Sequence, residues 1–287
     1  MIFKIKLIID EKNNKVQNKI IKNLFVKSLF NKMKKDFISV IIPYHKKKIY
    51  FQDTINSIIK QTYTNYELVV IYDDQDKSEL KYVKNILNNI KRKKVRLIVN
   101  EKNIGAGLSR NKAIKFARGN YIAFCDADDK WKFNKLDYQL KFMKKNNIQF
   151  CHSSYDIINK FSNKIGEFLV QPKITYNDLI RSCDIGLSSV MISKKLMKKY
   201  FFSKLKTKED YLLWLKIIKS IKKFQGIKKK LIYWRYLDRS LSSSNKQKII
   251  DAFRLYKIHL NFSYFKALVC VFRLSINSII KKKNIYN

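Results

Sequence analysis

Residues 119–129, GNYIAFCDADD, decide how this chain of 287 residues folds. The apolar run YIAF is typical of a buried strand, and the carboxylates of Asp126, Asp128 and Asp129 follow it closely. Clustered carboxylates beside a core repel one another and are costly to bury without a counter-charge. A divalent cation such as Mg²⁺ or Mn²⁺ removes that cost, since both ions favour carboxylate and phosphate oxygens. The alternative is a solvated acidic turn that caps the next helix.

Two earlier segments repeat this arrangement of an apolar strand that ends in polar residues. Residues 37–42, FISVII, precede Pro43, which is expected to end the strand, and residues 67–72, ELVVIY, precede Asp73 and Asp74. Segments with helical spacing separate the strands, at residues 50–61, 78–90 and 106–118. This βαβ alternation predicts an α/β fold with a mostly parallel sheet, helices on both faces and a Rossmann-like nucleotide-binding half. In such sheets ligands bind beyond the carboxyl ends of the strands, where these polar residues fall.

The charge of the chain is strongly positive, with 62 Lys and Arg against 22 Asp and Glu and a formal net charge of +40. The excess is mostly Lys spread over every segment, without an Arg-rich stripe, which argues against nucleic acid as the main partner. An anionic membrane surface and phosphate-bearing substrates fit this charge as well. The four cysteines follow no CxxC spacing, so neither a zinc site nor a disulfide framework is predicted.

The two ends of the chain differ from its middle. Residues 1–36 form a predicted basic arm, residues 37–258 a catalytic domain, and residues 259–287 an amphipathic basic tail predicted to be helical. The tail has five Lys and Arg and no acid, which is typical of a helix that lies in the plane of a membrane surface. A helix packed on the domain or on a second copy is the alternative. Its apolar residues recur at a spacing of three or four, at Phe262, Phe265, Val269, Phe272, Ile276 and Ile279.

No signal peptide and no uncharged run of about 18 residues is visible in the sequence. The expected location is therefore the cytoplasm, as a peripheral protein on the inner face of the cytoplasmic membrane.

Five segments together resemble one enzyme family, the inverting family 2 glycosyltransferases with a GT-A fold, over residues 37–243. Their order and spacing carry the resemblance more than any one of them does. They are SVIIP (39–43), KQTYTNYELVVIYDD (60–74), NIGAGLSRNKAI (103–114), GNYIAFCDADD (119–129) and KEDYLLWLKI (208–217). The resemblance implies transfer of a sugar from a nucleotide-diphosphate donor to a hydroxyl of a glycan or lipid-linked acceptor, with inversion. Assembly of surface glycans such as lipopolysaccharide or capsule is the common setting of the family.

The resemblance also implies which residues bind the donor. Those expected to contact the nucleotide sugar are Pro43, His45, Asp73, Asp74, Arg110, Asp126 and Arg235. The segment around Pro43 and His45 and the pair Asp73 and Asp74 would hold the base, with Asp74 as the direct contact. Arg110 would face the nucleotide or its diphosphate. Two departures from the family are visible, because His45 replaces the usual Tyr and residues 73–76 are DDQD in place of DDGS.

The chemistry of transfer falls, by the same resemblance, to three carboxylates and a metal. Asp126 and Asp128 would form a DxD motif for Mn²⁺ or Mg²⁺, with Asp128 as the direct ligand and Asp126 nearer the ribose or a metal-bound water. Glu209 and Asp210 match the acidic pair that supplies the catalytic base, which we assign to Asp210. Arg235 would close over the diphosphate.

Two other functions compete with glycosyl transfer. A sugar-phosphate nucleotidyltransferase shares a metal and a similar sheet, but it needs a Gly-rich loop after the first strand, and residues 43–48 are PYHKKK. A non-catalytic protein that binds nucleic acid or membranes would explain the basic composition. The acidic clusters at the strand ends argue against that alternative.

Overall fold

The computed structural model describes residues 36–90, 94–237 and 244–286, and the described residues from Phe37 onward form one compact unit. The predicted basic arm, residues 1–36, lies outside these ranges except for Asp36, so it stays a prediction.

The first half of the unit is a parallel sheet with the strand order β3-β2-β1-β4. Its strands are β1 (Ile38–Tyr44), β2 (Tyr66–Tyr72), β3 (Lys94–Val99) and β4 (Tyr121–Phe124). The connecting helices are α1 (Lys48–Ile59), α2 (Leu80–Asn88) and α3 (Ala106–Phe116). Because the four strands run in one direction, the polar residues that follow β1, β2 and β4 meet at one edge of the sheet.

The second half adds mostly antiparallel strands to β4. They are β5 (Lys130–Trp131), β6 (Phe150–Ile158), β7 (Lys164–Phe168), β8 (Lys173–Thr175), β9 (Met191–Ser193) and β10 (Lys223–Arg235). The sheet has the order β3-β2-β1-β4-β9-β6-β10-β5, and β7 pairs with β6 and β8 with β10 beside this path. Strand β9 is antiparallel to both neighbours, β4 and β6, whereas β10 runs parallel to β6. The helices are α4 (Lys135–Lys145), α5 (Tyr176–Leu179), α6 (Lys194–Met197), α7 (Glu209–Ile221), α8 (Asn245–Arg254) and α9 (Tyr264–Tyr286).

Two hydrophobic cores cover the two faces of the sheet, as the continuous apolar strands predicted. Alternate residues of β1 divide between them, since Ile41 faces one core while Val40 and Ile42 face the other. Helices α3, α7, α8 and α9 close the core of Ile41, with Trp214 of α7 fully buried in it. Helices α1, α2 and α4 close the opposite core. The α/β class, with helices on both faces of the sheet, is confirmed.

The prediction that Pro43 ends the first strand is wrong, because β1 continues through Pro43 to Tyr44. The backbone of Ile41 faces β4, where its carbonyl accepts the N–H of Cys125. Pro43 faces the same side, but β4 ends at Phe124. The N–H that proline lacks would therefore have no partner in that strand, so proline is tolerated there.

A glycine sets the short connection from α3 to β4, which aims the DxD turn. A Cβ on Gly119 would lie 2.5 Å from the backbone nitrogen of Ser39, so only glycine fits without a backbone shift. The Gly119 N–H also donates to the Ser39 hydroxyl at 2.8 Å.

We expect Gly119→Ala to lower the free energy of unfolding by about 1–3 kcal/mol, the usual cost of overpacking. Urea unfolding measures this change. Lys115→Ala, on the exposed side of α3, should stay within about 0.5 kcal/mol of wild type. Equal stability of both variants would contradict the close approach at Gly119.

Candidate active site

A buried arginine joins the end of β4 to the start of α7. The guanidinium of Arg110, on α3, is 4% exposed and donates to Asp126 Oδ1 at 2.7 Å and to Glu209 Oε1 at 2.8 Å. Asp126 belongs to the DxD turn and Glu209 to the acidic pair, so two predicted site segments meet on one side chain. The prediction that Arg110 lies in the site fits this placement, and its nearest partners are carboxylates.

The acidic pair Glu209 and Asp210 opens α7 and is drawn close to α3. A Cβ on Gly107 would lie 2.9 Å from Cγ of Glu209, so glycine lets the two helices approach. Burial, and then the neighbouring Asp210, raise the pKa of Glu209 to about 7. Burial also raises the pKa of Asp210, whose Oδ1 accepts the N–H of Tyr211 at 2.7 Å. A carboxylate with a raised pKa is a better proton acceptor, and acids in a first helical turn also suit the helix dipole.

The other two acids of the DADD turn have different surroundings. Asp128 forms an ion pair of 2.7 Å with Lys47, and burial raises its pKa. Asp129 is fully buried and accepts hydrogen bonds from the Ser188 hydroxyl and from the Arg235 backbone N–H. Burial and the neighbouring Asp128 raise the pKa of Asp129 well above its usual range. The hydrogen bonds of Asp129 thus hold the turn in place, while Asp128 is paired with the ammonium group of Lys47.

The side chain of Arg235 stabilises the same turn by a hydrogen bond to the backbone of the turn. Its Nε donates to the carbonyl oxygen of Asp128 at 2.8 Å, and Nη1 donates to carbonyl oxygens after β6. The guanidinium also lies 4.7 Å from the ring centre of Tyr50. Its Nη2 is buried and has no hydrogen-bond partner within residues 36–90, 94–237 and 244–286. The predicted contact of Arg235 with a diphosphate stays a prediction.

The predicted nucleotide-base residues gather beyond β1 and β2. His45 Nδ1 lies 3.0 Å from the carbonyl oxygen of Asp73 and 3.5 Å from Oδ2 of Asp74. Asn103 donates to the same Asp73 carbonyl at 3.0 Å and lies 3.1 Å from His45. The Asp73 carboxylate is buried and accepts the N–H of Ile104, so it fixes the loop before α3. Pro43 lies inside β1, two residues before His45.

The structure thus brings the predicted residues to one edge of the sheet, where they form two groups. The base-side group, named for the nucleotide base, contains His45, Asp73 and Asp74. The carboxylate group contains Asp126, Asp128, Glu209 and Asp210. Sequence reasoning missed Lys47, Ser188 and Asn103. Lys47 is the middle one of three consecutive lysines, and only its distance from Asp128 distinguishes it. Ser188 donates to Asp129 and accepts the N–H of Asp126, which no local pattern indicates.

This sheet, with a DxD turn at the end of β4 and an acidic pair opening α7, has the architecture of the GT-A glycosyltransferases. A family model described as "Glycosyl transferase family 2" matches residues 39–206. The chain belongs to glycosyltransferase family 2 and is an enzyme of that family.

Named relatives and a solved structure agree with this family. The chain is 38% identical over 213 residues to WfgD of Escherichia coli, named UDP-Glc:alpha-D-GlcNAc-diphosphoundecaprenol beta-1,3-glucosyltransferase, covering 74% of this chain and 81% of WfgD. It is 27% identical over 251 residues to TuaG of Bacillus subtilis, named a putative teichuronic acid biosynthesis glycosyltransferase, covering 86% of this chain and 98% of TuaG. The mannosyltransferase PcManGT of Pyrobaculum calidifontis, solved with GDP-Man and Mn2+, superposes with a TM-score of 0.62 at 13% identity, over 86% of this chain and 74% of that one. This last similarity is one of fold, and it confirms the predicted GT-A class.

We expect Glu209→Gln to change how stability depends on pH. The unfolded Glu209 carboxyl titrates near 4.5 and the folded one near 7. Between these values the folded state binds more protons, so the free energy of unfolding of the wild type falls as pH rises. The variant cannot titrate there, so its stability relative to wild type should rise by on the order of 2 kcal/mol between pH 5 and pH 8.

Thermal or urea unfolding at both pH values gives this difference. Glu101→Gln, at an exposed position, is the control and should follow the wild type. A stability difference between Glu209→Gln and wild type that does not change with pH would contradict the raised pKa.

Proposed function

We propose that this enzyme transfers a sugar, with inversion, from a UDP-sugar to a hydroxyl group of a lipid-linked acceptor in bacterial surface-glycan assembly. The observation that carries the proposal is the contact of Arg110 with both Asp126 and Glu209. This contact holds the DxD turn close to the acidic pair, as transfer between a diphosphate donor and an activated hydroxyl requires.

The relatives support the choice of donor and acceptor. The name of WfgD gives UDP-Glc as donor, a diphosphoundecaprenol-linked GlcNAc as acceptor and a β linkage. A β-glycoside made from an α-linked nucleotide sugar has the opposite anomeric configuration, which is the result of a single displacement. TuaG is named for teichuronic acid, a polymer, which supports a role in surface glycans. Such an acceptor also supports a peripheral location on the inner face of the cytoplasmic membrane.

The carboxylates at the end of β4 fit a divalent metal. Burial and then the nearby Asp126 favour protonation of Asp128, and Lys47 offsets this effect. A divalent cation would neutralise the same charge more fully. Among the described residues no group of three His, Cys, Asp or Glu could hold a metal. A Mg²⁺ or Mn²⁺ ion would be bound by Asp128, with Asp126 nearby, and substrate phosphates would complete its coordination. When bound, the metal would neutralise charge on the leaving diphosphate.

Asp210 is our candidate for the group that accepts the proton of the acceptor hydroxyl. Its carboxylate stands in the first turn of α7, next to the Glu209 that pairs with Arg110. As the hydroxyl oxygen bonds to the anomeric carbon, its proton passes to the Asp210 carboxylate and the bond to the diphosphate breaks. Glu209 forms an ion pair with Arg110. Asp210 has no ion-pair partner within 4 Å in the described part of the chain, and it accepts only the N–H of Tyr211, so its carboxylate is the one that can take up a proton.

The binding of the nucleotide falls to the base-side group. His45 and Asp74 present a ring nitrogen and a carboxylate at the ends of β1 and β2, and Asn103, in the loop after β3, adds an amide group. These groups can pair with the polar edge of a uracil, while Arg235 can approach the diphosphate from the turn that it braces.

We expect Asp128→Asn to remove the metal dependence of UDP binding. Calorimetry of UDP with and without Mn²⁺ measures it, and the metal-dependent gain in affinity should fall roughly 10–100-fold. Asp137→Asn, on α4 and away from the cleft, is the matched control. Metal-dependent UDP affinity equal to that of wild type would refute Asp128 as a ligand.

We expect Asp210→Asn to lower turnover on the order of 10²–10⁴-fold, the usual contribution of a positioned base, with UDP affinity unchanged. The assay measures transfer from UDP-Glc to a GlcNAc-diphosphate lipid and the anomeric configuration of the product. If Asp210 only caps α7, the variant loses about 0.5–2 kcal/mol of stability and keeps its turnover.

Asp178→Asn provides a matched control for this capping alternative. Asp178 completes a capping box with Thr175 at the start of α5, so its loss should affect stability alone. If the Asp210→Asn variant is destabilised but fully active, Asp210 is a helix cap, as Asp178 is, and not the proton acceptor.

A further inference from the structure

Helix α9 has two apolar faces, and only one of them packs on the domain. Ala267 and Leu274 are buried in the core that also holds α7 and α8. Beyond them, Asn277 donates to the carbonyl oxygen of Arg181 at 2.8 Å, and Lys281 pairs with Asp184. These contacts fix the rotation of the helix, so the direction of its other face is fixed as well. Of the six regularly spaced apolar residues of the tail, Phe262 belongs to the packed side.

The second apolar face is exposed. We call it the outer stripe, and it consists of Phe265, Leu268, Phe272, Ile276 and Ile279. Phe265 is 78% exposed and Phe272 67%. At about 100° per residue these five side chains lie within about 80° of one another, on the side away from Ala267 and Leu274, and they extend over about 21 Å. Large apolar patches of this kind mark interaction surfaces.

A basic groove runs along one flank of α9, between its two faces. A cavity of about 300 Å³ is lined by Arg181, Arg273, Ile276 and Asn277, and a second of about 190 Å³ adjoins it through Arg181 and Arg273 and adds Lys266. We call Arg181, Lys266 and Arg273 the basic groove. None of the three is within ion-pair distance of a carboxylate in the described residues. The nearby Asp178 carboxylate is engaged by Thr175.

We propose that the outer stripe and the basic groove form a docking site for a membrane surface that carries anionic lipid phosphates. Apolar side chains that point away from the domain can enter the acyl boundary, while the cations on the flank lie at the level of the headgroups. The segment from Ser263 to the last residue contains no acid, so no negative charge opposes an anionic surface. No described helix is long and apolar enough to cross a bilayer.

Helix α9 also reaches the segment that stands near the acidic pair of α7. Lys281 of α9 donates to the carbonyl oxygen of Cys183, and burial and then the Asp210 carboxylate raise the pKa of Cys183 to about 11. Docking through α9 would therefore hold the acidic pair near the membrane surface. This consequence rests on the proposed function, whereas the docking site itself does not.

Vesicle sedimentation of the full chain tests the apolar part. Wild type should bind phosphatidylcholine vesicles that contain phosphatidylglycerol, and Phe265→Ser with Phe272→Ser should weaken binding by at least about 10-fold. Phe133→Ser with Phe161→Ser removes two exposed aromatic residues outside α9 and should bind as wild type does. No binding by wild type, or equal binding by the α9 variant, would overturn the proposal.

A second pair of variants tests the charge. Arg181→Gln with Arg273→Gln should weaken binding to phosphatidylglycerol vesicles on the order of 10-fold, and more salt should reduce the difference. Lys84→Gln with Lys115→Gln removes the same charge from exposed positions elsewhere and should have a smaller effect. Equal losses in both pairs would mean that net charge, not the groove, attracts the protein, and would overturn the basic groove as a site.

Sedimentation velocity distinguishes docking on a membrane from dimerisation through the same face. The outer stripe is a dimer interface, and the proposal fails, under three joint conditions. The wild type is a dimer, the variant Phe265→Ser with Phe272→Ser is a monomer, and both bind vesicles equally. The opposite result supports docking independently of the transfer chemistry. In that case the variant has the oligomeric state and the UDP affinity of the wild type but no longer binds vesicles.

Discussion

Arg110 carries a permanent charge at a position that water barely reaches, and the candidate active site is arranged around that fact. A buried guanidinium costs several kcal/mol unless it is paired on both sides. Its partners, Asp126 and Glu209, lie 16 and 99 residues away along the chain. The ion pairs therefore tie the end of β4 to the start of α7, and with them the parallel half of the fold to the second half. Gly107 allows this because a larger residue would push Glu209 away.

The candidate active site holds a cluster of carboxylates within a strongly basic protein, and burial works against their negative charge. Burial raises the pKa values of Asp128, Asp129, Glu209 and Asp210 together, so each carboxylate needs a cation or a hydrogen-bond donor nearby. Lys47, Arg110 and Ser188 supply these contacts. Lys47 is the partner that a bound metal could most readily replace, since its side chain is flexible and part-exposed.

The tail helix α9 packs on the same core as α7, whose first turn carries the acidic pair. One face of α9 completes the core beneath α7, and the other faces solvent. Since the helix is anchored at Asn277 and Lys281, a surface that binds the outer stripe is held at a fixed orientation to the acidic pair. Packing on the domain and contact with a further surface, which the sequence offered as alternatives, are compatible in one helix.

The sequence by itself determined the α/β class, the mostly parallel first half of the sheet and the polar residues at the strand ends, because buried strands and βαβ spacing leave local patterns. Resemblance to family 2 added the candidates Glu209, Asp210 and Arg235. Only the tertiary structure decided that β1 continues through Pro43, that β9 runs against both neighbours, and that Lys47 meets Asp128. It also decided which face of α9 is buried, because periodicity shows that a helix has apolar residues but not which of them find a partner. These features depend on groups that lie far apart in the chain, such as Asn277 and Arg181, 96 residues apart, or Lys281 and Cys183, 98 residues apart, and such distances leave no trace in a local pattern.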